Sequence, residues 1–440
     1  MPVPKSTRSR VAPLAEILFP ALFILLALGL PVAFAMAIAV FVALSFGSNY
    51  PHLVVVKEMF SGLDSFPLLA VPFFILAAEI MTGGAVTLAI LRLAQSLVGH
   101  MRGGLGHANV VSSAMFAGIS GSALADAAGP GTMMIRMMEK GGYDRAYAGA
   151  LTIASSVVGP IIPPSITMII YAMQDQSVSV GSLFMAGVLP GLLITALVLI
   201  ANARVSHVRG YSTGAPMPPF NEIARIAFYA LPALLLILLI VGGIRFGIFT
   251  PTEASVIAVF YALFVGMFIY RSLRIRDLPD IILRAALTSG AVLLILGAAR
   301  AFAWILVIES LPQYLAQTII AWDLAPIVFL LCVNVLLLAF GLFMDPLPGV
   351  IILVPILAPI SLALGIDPNH FAIVVIFNLT LGLTTPPVGS LIFVVSSTVQ
   401  LKPSVLIREM PPFFLALAAA LLLITFIPFL STWLPNVSGF

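Results

Sequence analysis

Hydrophobic positions run along this chain in blocks with polar residues gathered at their ends, many of them near the 17–25 residues a helix needs to cross a bilayer. Punctuation by Pro, Gly and charge predicts spans near 11–30, 31–47 and 66–82, the first two divided at Gly29-Leu30-Pro31. Further spans are predicted near 182–203, 225–244, 248–270, 285–307 and 410–432. Two regions, 144–172 and 369–399, are too long and too interrupted for a simple helix, and each carries a Gly and a Pro-Pro pair in its middle. They read as broken helices. The blocks 106–138 and 325–364 each fold an apolar run around a turn of small residues or of Asp, Pro and Gly, which predicts re-entrant hairpins.

Hairpin and broken helix occur twice in register. Gly118, Gly142, Asp144, Gly159, Pro163 and Pro164 match Gly341, Gly365, Asp367, Gly382, Pro386 and Pro387 at one offset (341 − 118 = 223). A second block, 38–44 against 257–263, matches at 219. The predicted organisation is one membrane domain over 1–440, with repeat one at 31–204, a connecting region at 205–247 and repeat two at 248–432. Five predicted crossings separate the two hairpins, so the copies enter from opposite faces. Inverted repeats of this kind build secondary transporters, with the site near the bilayer midplane. The predicted fold class is therefore an all-α membrane protein of inverted repeats, with two re-entrant helical hairpins and two broken helices.

Composition closes the soluble alternatives. The chain is 61% hydrophobic and only 8% charged, against roughly 25% charged in soluble domains. One cysteine, Cys332, allows neither an internal disulfide nor a cysteine-built metal site, and the five histidines show no ligand spacing. Lys and Arg collect on the cytoplasmic side of membrane proteins. With the loops holding Arg204, Arg209 and Arg225 and then Arg271, Arg274, Arg276 and Arg284 inside, 14 of the 20 basic residues are cytoplasmic. That topology sends the basic N-terminal tail, with Lys5, Arg8 and Arg10, to the periplasm and makes the first apolar run a retained helix. The net charge of +3 lies at helix ends and implies no nucleic-acid partner.

Backbone that leaves the helix at membrane depth persists only where protein or a water-filled cavity covers it. Four such breaks are expected: 118–123, 155–164, 341–349 and 378–387. Each sets free carbonyls beside hydroxyl, amide or carboxylate oxygens, and oxygen-only ligand sets suit hard cations. The candidate sodium ligands are Ser120, Ser122, Ser155, Ser156, Gly159 and Ile162 in repeat one. In repeat two they are Gly341, Asp345, Asn378, Thr380, Gly382, Thr384 and Thr385. Helix N-termini at the same breaks favour a carboxylate, and Ser120, Gly121, Ser122 and Asp126 are the candidate substrate residues. Asp126 either caps the second hairpin arm or reaches the cavity. Ser112 and Ser113, on the hairpin arm, read as packing residues.

Other charges have simpler expectations. Glu79, inside a span, needs a partner or a cavity. Glu253 in Thr250-Pro251-Thr252-Glu253 reads as a capping residue, as do Asp144 and Asp367 at matching positions before the broken helices. Arg300 is expected to snorkel. Leu88 to Arg102 and Leu311 to Trp322 read as amphipathic helices in the membrane plane, framing a mobile core.

Three motifs carry a family resemblance: Gly-Ile-Ser-Gly-Ser-Ala-x-Ala-Asp at 118–126, Gly-Ile-Phe-Thr-Pro-Thr-Glu-Ala at 247–254 and Gly-Leu-Thr-Thr-Pro-Pro-Val-Gly at 382–389. In this order and spacing they resemble the large membrane subunit of TRAP (tripartite ATP-independent periplasmic) transporters, over essentially the whole chain. The resemblance implies an elevator-type transporter of the bacterial inner membrane and sodium-coupled uptake of an organic acid such as a C4-dicarboxylate or sialic acid. It also implies a periplasmic binding protein and a small membrane subunit as partners, the latter a separate four-helix polypeptide. Residue by residue, Ser120, Ser122 and Asp126 fall on the functional hairpin-one motif. Gly159 and the backbone after it fall on the first sodium site, and Gly382 with Thr385 on the second. The rival readings are a sodium/carboxylate symporter or antiporter that needs no binding protein, and a membrane-embedded enzyme. Gly118-Ile119-Ser120-Gly121 breaks the Gly-x-Ser-x-Gly nucleophile pattern that the enzyme would need.

Overall fold

The computed structural model describes residues 13–48, 50–211, 216–321, 324–386 and 388–440. The expectations for the basic tail, Trp322 and Pro387 lie outside the described residues. Among the described residues the secondary structure is helical throughout. Among the described residues five helices are long and apolar enough to cross a membrane, or up to eight if each bent pair counts as one span.

The first outer group is α1 (Pro13–Ala27), α2 (Val32–Gly47), α3 (Leu53–Leu63) and α4 (Ala70–Met81). Gly29 closes α1 at φ +83°, a conformation only glycine adopts without strain, so the predicted division between the first two spans falls there. Residues 53–63 form a helix that hydropathy does not announce, because Lys57, Glu58 and Asp64 interrupt the apolar run. It meets α4, through one 3-10 turn, at a 67° bend. Next comes the amphipathic α5 (Gly84–Val98), which overlaps the segment expected in the membrane plane, Leu88 to Arg102, but starts and ends four residues earlier.

Hairpin one consists of α6 (Gly104–Ser120), a turn at Gly121, α7 (Ala123–Asp126), a π turn at Ala127–Gly131 and α8 (Thr132–Lys140). The first broken helix is α9 (Arg145–Ser156) and α10 (Ile166–Gln174), followed by the long α11 (Val180–Val208). A second outer group is α12 (Phe220–Arg245), α13 (Pro251–Phe264) and α14 (Leu278–Ile308), and α15 (Leu311–Ala321) leads from it into hairpin two. Hairpin two is α16 (Pro326–Gly341) and α17 (Pro346–Ala363), and the second broken helix is α18 (Pro368–Gly382) and α19 (Ser390–Val399). The chain closes with α20 (Pro403–Glu409), α21 (Pro411–Phe426) and α22 (Phe429–Ser438). The last two meet at 57°, so the predicted span at 410–432 is a bent pair.

Element starts keep the sequence offsets. Helices α17, α18 and α20 begin 223 residues after α7, α9 and α11 (346 − 123, 368 − 145, 403 − 180), and α13 begins 219 after α2 (251 − 32). The caps follow the sequence too. Tyr147 N–H donates to Asp144 Oδ1 at 2.9 Å and His370 N–H to Asp367 Oδ1 at 3.0 Å. Thr250 and Glu253 form a reciprocal capping box at the start of α13. Arg300 is exposed, with its aliphatic stem against Gly62 on α3.

The core is where the two hairpins and the two broken helices interlock. Nearly every residue of α9 and α18 is buried. Each packs on the first arm of its own hairpin, α9 on α6 and α18 on α16. The second halves cross over: α10 packs on α17 of hairpin two, and α19 on the second arm of hairpin one. Helices α1 to α4, α13 and α14 pack mainly on one another, and α12 packs on α5 and α13.

Candidate functional site

Hairpin one turns at Gly121, whose φ of +61° and close approach to the Pro164 carbonyl both exclude a side chain. A Cβ there would lie 2.7 Å from that oxygen. Ser122 then caps the returning arm, accepting from Ala125 N–H at 3.4 Å. The tip sits directly on the first helix break: a Cβ on Gly159 would lie 2.9 Å from Ser122 C and Ala123 N. Ser120, Gly121, Ser122 and Gly159 are thus brought together, as the sequence pattern expects. Ile162 follows in the same non-helical stretch, its side chain against Gly191 of α11.

At hairpin two the contact between hairpin and helix break is closer still. A Cβ on Gly382 would lie 2.4 Å from Gly341 Cα, so the end of α16 and the end of α18 touch backbone to backbone. Asp345 ends the turn between α16 and α17 and accepts from Ser390 Oγ at 3.2 Å. The hydroxyls of Thr380, Thr384 and Thr385 donate to carbonyls in the preceding turn, at 2.7, 2.8 and 3.1 Å. This spends their protons and leaves oxygen lone pairs free to coordinate.

A buried hydrogen-bond pair ties hairpin to broken helix in each copy. Ser113 Oγ and Ser155 Oγ are 3.0 Å apart, and Asn378 Nδ2 donates to Asn334 Oδ1 at 2.6 Å. Ser155 and Asn378 are equivalent by the offset (378 − 155 = 223). Asn334 passes the chain on to Thr425 Oγ1 at 3.0 Å, and in repeat one Asn109 donates to Thr152 Oγ1 at 2.7 Å. Asn109, Thr152, Asn334 and Thr425 are polar groups that the sequence reading passed over. Their only signal is an amide or hydroxyl inside an apolar helix.

Asp126 is not at the cavity. Its side chain is 1% exposed and accepts from Ser156 Oγ at 2.7 Å, behind the tip. It caps no helix either, since Ser122 does so. Its second oxygen, Oδ1, is buried without a hydrogen-bond partner, and so is Oδ1 of Asn378. Such acceptors are costly to leave bare in a low-dielectric interior, and they lie beside the oxygen-rich breaks. The donor set at the breaks is oxygen throughout, which fits a hard cation.

Between the two tips lies a cavity of about 170 Å³. Ser120, Gly121 and Ser122 line it from hairpin one, Asp345, Pro346 and Leu347 from hairpin two, and α4 and α14 supply Glu79 and Thr288. A second cavity, about 630 Å³, lies on the far side of the Asp345 turn, against α2 and α14. The turn of hairpin two is therefore a partition with space on both sides. Glu79 has the partner its position demands, Arg284 of α14, at 3.1 Å.

Comparison with known proteins decides the family. Residues 19–430 match the family described as "Tripartite ATP-independent periplasmic transporter, DctM component". The chain belongs to the DctM component family of TRAP transporters. The sialic acid TRAP transporter large permease protein SiaM of Vibrio cholerae is 38% identical over 420 residues, 94% of this chain and 96% of that one. A putative dicarboxylate transporter subunit of Paracoccus pantotrophus is 65% identical over 206 residues, 47% of this chain and 98% of that one. Among solved structures, the YdaH transporter of Alcanivorax borkumensis shares the fold with a TM-score of 0.64 at 15% identity, over 87% of this chain and 88% of that one. The hairpin-tip motifs of this TRAP permease are thus read inside a transporter fold and a transporter family.

Proposed function

We propose that this TRAP permease is the large subunit of a sodium-coupled importer of a small carboxylic acid, with the acid held between the hairpin tips. The observation that carries the reading is the cavity shared by Ser120, Gly121 and Ser122 of one hairpin and Asp345 to Leu347 of the other. The free backbone N–H groups beside it, those of Ala123 and Leu124 at the start of α7 and of Leu347 between Pro346 and Pro348, favour an anion. Its volume of about 170 Å³ is below the roughly 300 Å³ at which drug-sized pockets begin. That size, and the name of the 65% identical relative, favour a C4-dicarboxylate over a sugar acid.

Sodium ions take the two breaks. Gly159, Ile162 and the serines around them form one site. Gly341, Gly382 and the threonines 380, 384 and 385 form its counterpart, with Asn378 bringing an unpaired oxygen. Asp126 acts from behind, holding hairpin one to the first broken helix through Ser156. The matching offsets of the element starts support two inverted repeats. In this reading α6 to α11 and α16 to α22 move as one body against α1 to α4 and α12 to α14, with α5 and α15 as the arms. The membrane is the bacterial inner membrane, with the Arg-rich loops in the cytoplasm. The partners are a small membrane subunit and a periplasmic binding protein that delivers the acid.

The test is uptake into proteoliposomes holding this chain with its small subunit. Radiolabelled succinate is supplied on the binding protein, with and without an inward sodium gradient. Uptake that needs both supports the reading. Sodium-driven uptake of free succinate without the binding protein replaces the tripartite importer with a stand-alone symporter.

A further inference from the structure

Beyond the hairpin tips and the broken-helix residues Pro160, Ile166, Thr167 and Leu383, the cavity wall belongs to the outer helices α4 and α14. Thr288 and Val292 line it from α14, four residues apart and so on one helix face. Arg284 occupies the same face one turn earlier, about 6 Å along the axis from Thr288. From α4 the lining residues are Ile75, Ala78 and Glu79. Glu79 Oε2 meets Arg284 Nε at 3.1 Å, with the two side chains 31% and 56% exposed. The pair therefore stands at the rim of the cavity, beside an α4–α14 wall that is otherwise apolar apart from Thr288.

A partly exposed ion pair adds little to stability, so holding α4 to α14 is a weak reason for its presence. It is also incomplete. Glu79 engages only Nε, and among the described residues the two terminal nitrogens of Arg284 have no hydrogen-bond partner. A guanidinium presents a planar fork that matches a carboxylate in two parallel hydrogen bonds. The fork here is open, next to a cavity whose cargo carries that group.

We propose that Arg284, with Thr288 one turn deeper, is a second carboxylate subsite at the mouth of the cavity, and that Glu79 is its built-in competitor. The inference rests on the reading of the cargo as a carboxylate. An acid leaving the tip serines passes Thr288 and is caught by Arg284. Glu79 then reclaims the guanidinium and the acid departs. Because the pair belongs to the outer helices, the subsite stays in place when the tips move.

The test is sodium-dependent binding of radiolabelled succinate, and in parallel of sialic acid, to the purified full chain in detergent. Arg284→Gln is expected to raise the Kd about tenfold, or ~1.4 kcal/mol, the low end for a charge-assisted hydrogen bond. Glu79→Gln is expected to lower it about threefold by removing the competitor. Arg284→Lys, which keeps the charge but loses the planar fork, is expected to recover only a minor part of the loss. Opposite signs are the diagnostic, since a merely structural pair moves both variants in one direction. Equal shifts, or wild-type binding in both variants, overturn the subsite while the carboxylate reading stands. If the wild-type chain binds neither acid, the carboxylate reading falls and this inference with it.

Discussion

Gly382→Ala puts a methyl group where the structure has no room for one. The added Cβ would lie 2.4 Å from Gly341 Cα, 2.5 Å from its carbonyl carbon and 2.8 Å from its oxygen. Ordinary contact needs about 3.5 Å or more between carbons, so α16 and α18 must separate by roughly 1 Å. Neither side of the contact is a flexible side chain. Overpacking of this kind costs about 1–3 kcal/mol, and the displacement falls on the proposed second sodium site. Sodium binding adds RT ln(1 + [Na]/Kd) of stability, about 1.4 kcal/mol at ten times Kd. Two readouts therefore move together. In choline, the thermal midpoint of purified Gly382→Ala falls below wild type. In sodium, the rise seen in wild type is lost or shrinks. Gly290→Ala is the control: its Cβ meets nothing within 4 Å, in mid-α14. Helix propensity alone makes that change neutral to favourable. A Gly382→Ala protein with the wild-type midpoint and the wild-type sodium response refutes the reasoning.

Other perturbations separate packing from cargo contact. Asp126→Ala strips Ser156 of its acceptor and opens a buried space; a loss of about 1–3 kcal/mol is expected in thermal unfolding, whereas a pure cargo residue would alter only KM. Asn378→Leu leaves Asn334 Oδ1 without its donor and is expected to cost about 1–3 kcal/mol, with part recovered in Asn334→Leu/Asn378→Leu when both polar partners are gone. A double-mutant cycle measures that coupling. Thr250→Ala removes one half of the capping box of α13 and is expected to cost about 0.5–2 kcal/mol, read as faster hydrogen exchange over Thr252 to Ala254.

The hairpins and broken helices were legible because their boundaries are marked by residues with backbone meaning. Asp144 and Asp367 start helices by capping, Gly121 and Gly29 occupy left-handed turns, and Pro cannot continue a hydrogen-bonded helix. Those constraints are local, so they survive without knowledge of the fold. The site was legible only where it is backbone. Ser120, Ser122, Gly159, Gly341 and Gly382 lie at the breaks because the breaks need them. Asp126 was not placed, because the π turn after it shifts the helical phase and no periodicity fixes which way a residue beside such a turn faces. Pairs across the chain were out of reach for the same reason. Glu79 and Arg284 are 205 residues apart, and Asn334 and Thr425 are 91. Hydropathy counts Glu79, Asn334 and Thr425 as blemishes in apolar runs and Arg284 as a loop charge. Only the tertiary structure turns them into partners.

The most direct measurement of the central claim is the affinity of the purified chain for succinate as sodium is titrated against choline. Sodium at the breaks and a carboxylate at the tips predict a Kd that falls steeply as sodium rises. They predict a flattened sodium dependence in Thr385→Ala and a weaker acid affinity at every sodium concentration in Ser122→Ala. Succinate binding of equal strength in sodium and in choline contradicts the coupled site.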